Sequence, residues 1–317
     1  MSIGKFGQWV KLTATNKAGV VILETSNLRV DFDIRDIKGY TRAKFDIYNL
    51  ATKTIGLLSN GEVYISLDVA LHDDEPVNLV SSMFVSNVIE EMDVPNSVTS
   101  LFCTSSIKQE ALDVDVSVIV NNPTLKNKLE ALKVASGFTG RFIYKYFPKG
   151  VLDATTPKPR SKQEGTLLEC LIKLSYEGFD FYTQGKNIVL SYRPDFENMK
   201  DTDLFINEEA VVLDTKNMRQ NPRLGPATLS VVSNLDTRIQ PTVILDVSNL
   251  LTAAPDVSEI SLQQAREILK DKVAGFDRYR IYQVQHKGSN FTKDWNTSAT
   301  ATSPSKGKKM ATNNWFT

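Results

Sequence analysis

The stretch LRVDFDI, residues 28–34, decides the fold class, because apolar and polar side chains alternate in it without interruption. One face of it carries Leu28, Val30, Phe32 and Ile34, and the other carries Arg29, Asp31 and Asp33. A period of two with one polar face predicts a β-strand that packs on one side. The alternation returns over residues 44–48 and 62–70, and turn signals separate these runs. Regularly spaced short strands of this kind predict a small barrel or sandwich.

One segment of this β region favours a helix. Residues 49–55 break the alternation and predict a short helix between two strands, with Asn49 as a candidate N-cap. The strand pattern then resumes, so the helix is expected to be a connection within the β region.

The middle of the chain has a different character. Asn122 precedes a proline and a leucine stripe, which predicts a helix capped by Asn122 and ended by Gly137. Thr166 and Glu169 have the spacing of a capping box at the start of a second helix. A hairpin is predicted over residues 179–192, so this part forms an α+β module. The basic loop at 155–162 between the helices is interpreted as a solvated connection.

The last third returns to strands. Residues 229–233, 242–246 and 279–286 have strand patterns, and a capping box at Ser261 and Gln264 predicts a helix over 261–274. The residues after 299 are rich in Ser, Thr and Lys and are expected to form an extended tail.

These patterns give a mainly β fold class, in which an α+β module is inserted between two β regions and the first of these is a small barrel or sandwich. The expected boundaries are 1–106 for the first β region, 107–200 for the module, 201–298 for the second β region and 299–317 for the tail.

Composition excludes some classes of function. The chain of 317 residues has 37 Lys and Arg and 37 Asp and Glu, so its formal net charge is zero. A nucleic-acid-binding protein usually has a basic excess, which is absent. Cys103 and Cys170 are too isolated for a disulfide framework or a zinc site, and we expect both to be buried thiols. No apolar run is long enough to span a membrane, and the N-terminus lacks the pattern of a signal peptide.

Motifs of catalysis are not found either. The two histidines stand outside any metal-binding spacing. His72 lies in an acidic turn and is expected to be exposed to solvent, whereas His286 ends a strand and is expected to make a structural hydrogen bond. The sequence has no phosphate-binding loop or nucleophile elbow. Asp113 and Asp115 alternate on a predicted strand and are a candidate cation site. We therefore expect no catalytic, cofactor-binding or metal-binding residues, and a protein that is not an enzyme.

Three stretches together resemble a known family. They are KFDIYNL at 44–50, LDVSNLL at 245–251, and YRIYQVQHKGSN at 279–290 followed by DWNT at 294–297. They are similar to segments of the baseplate or tail hub proteins of contractile-tailed phages, a two-barrel family related to phage late control D-type proteins. The order of barrel, α+β insertion and second barrel fits this family, and the resemblance covers most of residues 4–300. The helix at 261–274 and the tail after residue 300 have no clear counterpart in it.

The resemblance implies a structural role. Hub proteins of this family form homotrimers, and two barrels in each chain let a threefold ring present a quasi-sixfold face to the hexameric tail tube. The implied partners are a second and third copy of the chain, the tail tube protein, a central spike or fibre protein and other baseplate subunits. DNA would pass through the channel only as cargo. The implied location is the tail baseplate of a virion assembled in the host cytoplasm, and polar strand faces such as Arg29, Asp31 and Asp33 would face the lumen or solvent.

The tail supplies the candidate partner-binding residues. These are Lys306, Lys308, Lys309, Trp315 and Phe316, which a neighbouring subunit would order, although a frayed terminus explains them equally well. Two other functions stay open at this point. A carbohydrate-binding or adhesin-like tail protein would expose aromatic residues such as Tyr144, Tyr146 and Phe147, and a hydrolase would use scattered carboxylates.

Overall fold

The computed structural model describes residues 8–25, 27–37, 40–71, 75–93, 95–105, 112–145, 147, 150–155, 160–184, 187–192, 210–224, 228–247, 249–250 and 278–302. The predicted helix at 261–274 and the five candidate partner-binding residues of the tail lie outside these residues. Strands dominate, with a few helices, so the predicted mainly β fold class is confirmed.

The first β region contains seven strands and one helix. They are β1 (Gln8–Asn16), β2 (Val21–Thr25), β3 (Val30–Ile37), β4 (Tyr40–Tyr48), α1 (Thr52–Ser59), β5 (Val63–Leu71), β6 (Val77–Asp93) and β7 (Asn96–Thr104). The predicted alternation is confirmed here, because Val30, Phe32 and Ile34 are buried on one face of β3.

The helix α1 begins differently from the prediction. Its N-cap is Ala51, which makes no side-chain capping bond, so the prediction of Asn49 as N-cap was wrong. Asn49 instead adopts a left-handed conformation with φ of 58°, and its side-chain oxygen accepts a hydrogen bond from the Ser97 amide at 3.1 Å. Asn tolerates this conformation better than most residues, so it serves as the turn that leads from β4 toward the helix.

The α+β module follows. Its elements are β8 (Asp115–Asn121), α2 (Leu125–Ser136), β9 (Phe142–Lys145), β10 (Arg160–Thr166), α3 (Leu167–Ser175), β11 (Phe179–Gln184) and β12 (Asn187–Tyr192). The capping box of Thr166 and Glu169 and the hairpin of β11 and β12 are confirmed. The N-cap of α2 is Thr124, whose hydroxyl accepts from the Asn127 amide at 3.0 Å, so the predicted cap at Asn122 was two residues too early. The end of the predicted basic loop, residues 160–162, is part of β10 and pairs with β8.

The second β region contains β13 (Ala210–Val212), β14 (Met218–Leu224), β15 (Thr228–Asn234), β16 (Ile244–Asp246), β17 (Arg278–Ser289) and β18 (Trp295–Thr302). A short 3-10 helix, Thr215–Asn217, precedes β14. Residues 299–302, which were predicted to begin the tail, continue β18 because Ala299 and Ala301 alternate into the core.

The strands of the two β regions form one sheet. Its main path runs in the order β14, β15, β18, β17, β3, β4, β7, β6, β5, β1, β2, and the pair β13–β16 branches from β17. β17 of the second region pairs antiparallel with β3 of the first, from Gln283 opposite Ile37 to Ser289 opposite Asp31. This β3–β17 pairing is called the seam below.

Three hydrophobic clusters lie under these elements. The first is built from β1, β3, β4, β5, β6 and β7 together with α1, the second from the module and the third from β13 to β18. Two residues of the second β region, the buried Trp295 at the start of β18 and the partly buried Leu235, pack against the first cluster. The two β regions are therefore joined by side-chain packing as well as by backbone hydrogen bonds.

Candidate functional surface: the polar face of the sheet

A polar face runs across the strands on both sides of the seam. In β3, the side chains that alternate with the core belong to Asp31, Asp33 and Arg35, and Arg29 directly precedes the strand. The carboxylates of Asp31 and Asp33 are each 25% exposed, so they keep contact with solvent. Arg29, Asp31 and Asp33 thus lie outside the core, which agrees with the expectation for these residues.

Side chains from both β regions converge on Asp33. The Arg35 guanidinium lies 2.8 Å from this carboxylate, Gln285 donates a hydrogen bond to it at 2.7 Å, and Lys287 Nζ lies 3.5 Å away. Partial burial would raise the pKa of Asp33, but the hydrogen bonds from Arg35 and Gln285 and the charge of Lys287 together hold it below the usual value. Asp33 is therefore ionised at neutral pH, and its charge is compensated across the seam.

Two other carboxylates on this face are compensated in the same way. The Arg29 guanidinium lies 2.8 Å from Asp31, and the Ser289 hydroxyl donates to Asp31 at 2.5 Å. Lys44 Nζ lies 3.0 Å from Asp46. Cations and carboxylates thus alternate along the strands. DNA binds tightly where uncompensated Lys and Arg release its counterions, so a face on which charges are already paired offers it little retention.

The seam depends on a close approach of backbone and rings at Gly288. A Cβ placed there would lie 2.4 Å from the Phe32 ring and 2.6 Å from the Trp295 ring, well inside van der Waals contact. The two rings pack edge to face with centroids 5.6 Å apart. A residue without a side chain is therefore required at this point of β17, because the aromatic pair occupies the space.

Polar contacts also stabilise the seam around Gly288. The Asn290 side chain accepts a hydrogen bond from the Val30 amide at 2.9 Å and donates one to the Leu28 carbonyl at 2.8 Å. His286 is 3% exposed and lies 2.9 Å from the Thr297 hydroxyl. Burial lowers the pKa of His286 to about 4, so the ring is neutral at physiological pH. The expectation of a structural His286 fits these contacts, and the segment 286–290, which carried the resemblance, holds the two β regions together.

The module is attached beside the end of the seam. The Thr41 hydroxyl lies 3.2 Å from the carbonyl oxygen of Thr183. Arg280 of β17 donates a hydrogen bond to the Tyr192 carbonyl at 2.7 Å and another to the Ser191 hydroxyl. Each β region therefore contributes polar contacts to the strands β11 and β12 of the module.

Aromatic residues of the module pack inward. Tyr144 and Phe147 contact each other edge to face at 5.8 Å, and both pack against the module's hydrophobic cluster. Burial raises the pKa of Tyr144 to about 12. Tyr146 lies outside the described residues. The two described rings do not form the open platform that the carbohydrate-binding alternative requires.

The thiols behave as predicted. Cys103 and Cys170 are both free and buried, and burial raises the pKa of each thiol above its usual range.

Asp113 and Asp115 are exposed, and within the described residues no group of three or more His, Cys, Asp or Glu side chains is arranged to hold a metal ion. In the same part of the chain, no helix has the length and hydrophobicity needed to cross a membrane.

Comparison with known proteins gives a fold and not a sequence family. No protein-family model matches the chain, and no curated protein matches its sequence. Solved structures do match. A tail protein from Neisseria meningitidis MC58 has a TM-score of 0.56 at 9% sequence identity, covering 94% of this chain and 99% of that one. The 43 kDa tail protein of prophage MuSo2 from Shewanella oneidensis has a TM-score of 0.55 at 9% identity, with the same coverages of 94% and 99%.

A third match extends the class. The E. coli c3393 protein has a TM-score of 0.50 at 12% identity, covering 87% of this chain and 74% of that one. It is described as a type VI secretion component structurally similar to the T4 tail proteins gp27 and gp5. The chain therefore has the fold of phage tail proteins and their secretion-system relatives. The first two neighbours are described as tail proteins and the third as a component of a secretion system.

Proposed function

We propose that the chain is a structural hub subunit of a phage-type tail baseplate. Three copies would form a ring that receives the hexameric tail tube on one face and holds a central spike or fibre on the other. The ring would leave a channel through which DNA passes. Its other partners would be further baseplate subunits, and its location the virion tail after assembly in the host cytoplasm.

The continuity of the sheet through the seam is the observation that carries this proposal. A chain in which two β regions share one sheet presents an extended wall instead of two separate lobes. The described path ends at β2 on one side and β14 on the other. Open edges of a sheet favour pairing with another chain, and a closed ring of identical subunits removes such edges. Pairing of β2 of one copy with β14 of the next would close the wall.

The polar face supports the channel. If it lines the lumen, the compensated charges of Asp31, Asp33 and Asp46 keep the wall hydrated without a strong field of either sign. Such a wall suits a passing polyanion, because transport through a channel requires that DNA is not retained. The extent of the fold match, 94% of this chain against 99% of a tail protein, supports a role of the whole chain rather than of one part.

Oligomeric mass and shape test the proposal. Size-exclusion chromatography with light scattering should give the mass of three chains of 35.4 kDa. Negative-stain class averages of the same peak should show a threefold ring with an open centre. A monomer with a single solid lobe, which does not assemble when tube protein is added, would refute the hub.

A pair of variants tests whether edge pairing closes the ring. Val21 on the edge strand β2 is 54% exposed, and Val134 on α2 of the module is 79% exposed. A charge on an edge strand opposes edge-to-edge pairing, so Val21→Lys should reduce the trimer mass toward the monomer. Val134→Lys makes the same change away from the sheet and should leave the trimer intact. Equal behaviour of the two variants would contradict closure through β2.

A further inference from the structure

A cleft opens where the three parts of the chain meet. Its walls come from β3, β4 and β6 of the first β region, from β11 of the module, and from β17 and the segment before β16 of the second β region. Its volume is about 90 Å³. Because one water molecule needs roughly 10–15 Å³ on this scale, the cleft has room for several waters or for the end of one side chain.

Asp36 brings a carboxylate into this cleft. It follows Ile34 on the core face of β3, at a position where the alternation calls for an apolar residue. Thr41, directly opposite on β4, donates a hydrogen bond to it. The described part of the chain places no Lys or Arg in an ion pair with Asp36. Burial raises its pKa to about 6, so at pH 7.5 a mostly ionised carboxylate stands in a poorly solvated place without a cation.

The remaining lining combines apolar walls with hydrogen-bond acceptors. Leu79, Val80, Met83 and Pro241 are apolar, whereas Ser105, Tyr182, Thr183 and Gln240 carry oxygen atoms. His286 also lines the cleft and is neutral at pH 7.5. Asp36 is thus the one ionised group among the lining residues. This lining is complementary to a group that has one positive charge, several hydrogen-bond donors and an apolar stem.

We propose that this cleft receives an arginine side chain of a neighbouring protein subunit, with the guanidinium group against the carboxylate of Asp36. Arginine presents five N–H donors in a planar fork, which match a carboxylate and the surrounding oxygens, while its methylene stem packs on the apolar walls. A divalent metal ion fits less well, because protein sites for Ca²⁺ usually combine several carboxylates and this cleft supplies one, from Asp36. The inference rests on the cleft alone, and only the identity of the neighbour as a tail subunit rests on the proposed function.

Methyl NMR on the full chain tests the site directly. Ile34 and Met83 are 1% and 2% exposed and both line the cleft, so their methyl groups report on its contents. The probe is N-acetyl-arginine methylamide at pH 7.5, and the matched control is its citrulline analogue, which has nearly the same shape without the charge. We expect saturable methyl shifts with the arginine probe and binding at least about tenfold weaker with the citrulline probe.

Two variants test whether the carboxylate of Asp36 is the group that binds the arginine probe. Asp36→Asn should abolish the response to the arginine probe, whereas Asp33→Asn, on the opposite face of the same strand, should preserve it. Equal binding of the citrulline probe, or binding retained in Asp36→Asn, would overturn the proposal. If CaCl₂ shifts the same methyl signals and prevents binding of the arginine probe, the cleft binds an inorganic cation and the proposal is overturned.

The binding experiment and the measurement of trimer mass can fail independently of each other. Trimer mass is measured on the unmodified chain without a probe, so a trimer whose cleft ignores the arginine probe would refute this inference alone. A monomer that binds the arginine probe through Asp36 would refute the hub and leave the site standing.

Discussion

Replacing Asp36 by asparagine should stabilise the protein at neutral pH. The pKa of this carboxyl rises from 3.8 to about 6 on folding, because burial disfavours the ionised form. One pKa unit corresponds to about 1.4 kcal/mol, so the upper bound of the cost of ionising Asp36 is about 3 kcal/mol. Asp36 retains partial solvent contact, which reduces the expected gain to about 1–2 kcal/mol.

The sign of the pH dependence follows from proton binding. Since the pKa in the folded state lies above that of the unfolded state, the folded protein binds more protons between pH 4 and 6. The contribution of Asp36 to the free energy of unfolding is therefore fully present below about pH 4, and it is lost as pH rises through about 6. Asn is always neutral, so the variant lacks this loss.

Urea unfolding of both proteins from pH 4 to pH 8 measures the effect. The difference in free energy of unfolding, variant minus wild type, should be near zero at pH 4, grow up to about pH 6.5 and then stay constant. Asp33→Asn provides a control of opposite sign, because hydrogen bonds and nearby cations hold the pKa of Asp33 below its usual value and its removal should destabilise at pH 7.5. An Asp36→Asn variant that is less stable at pH 7.5, or a difference that does not vary with pH, would refute the reasoning.

Other consequences of the structure can be checked by unfolding or by NMR. Gly288→Ala should cost about 1–3 kcal/mol, because its Cβ would overlap two buried rings, whereas Gly56→Ala in α1, with nothing within 4 Å, should stabilise by roughly 0.5–1 kcal/mol. Glu169→Ala removes one half of a capping box and should destabilise by about 0.5–2 kcal/mol, and an unchanged midpoint in urea would contradict this. The His286 imidazole should titrate near pH 4 by NMR, with stability falling as pH drops from 6.5 to 4; a midpoint near 6.5 would contradict its burial.

Local patterns in the sequence predict the elements but not their pairing. The alternation at 28–34 predicts which face of β3 is buried, and the capping box at Thr166 predicts where α3 begins, because both depend on neighbouring residues. The seam joins residues about 250 positions apart, and a strand's own sequence does not identify such a distant partner. Asn122 and Thr124 both have side chains that can cap a helix and a proline stands between them, so the local pattern does not distinguish the two positions.

The sequence pattern indicates that Asp36 has an unusual environment. The alternation that places Ile34 in the core continues to residue 36, so a carboxylate on the apolar face was a sequence signal for an unusual environment. Its neighbours in the cleft come from the module and from the second β region, and no local pattern indicates that these parts converge there. The sequence therefore identifies the anomalous residue, whereas only the fold identifies what surrounds it.

The two faces of β3 carry carboxylates in different electrostatic environments. The outward face carries Asp33, whose charge is compensated within the chain by Arg35 and by contacts of Gln285 and Lys287 that cross the seam. On the inward face, Asp36 lacks a cationic partner among the described residues and lies where three parts of the chain converge. In the hub that we propose, this division would turn the uncompensated charge toward a protein neighbour and away from the DNA. The Asp33→Asn and Asp36→Asn pair thus tests both faces with one chemical change.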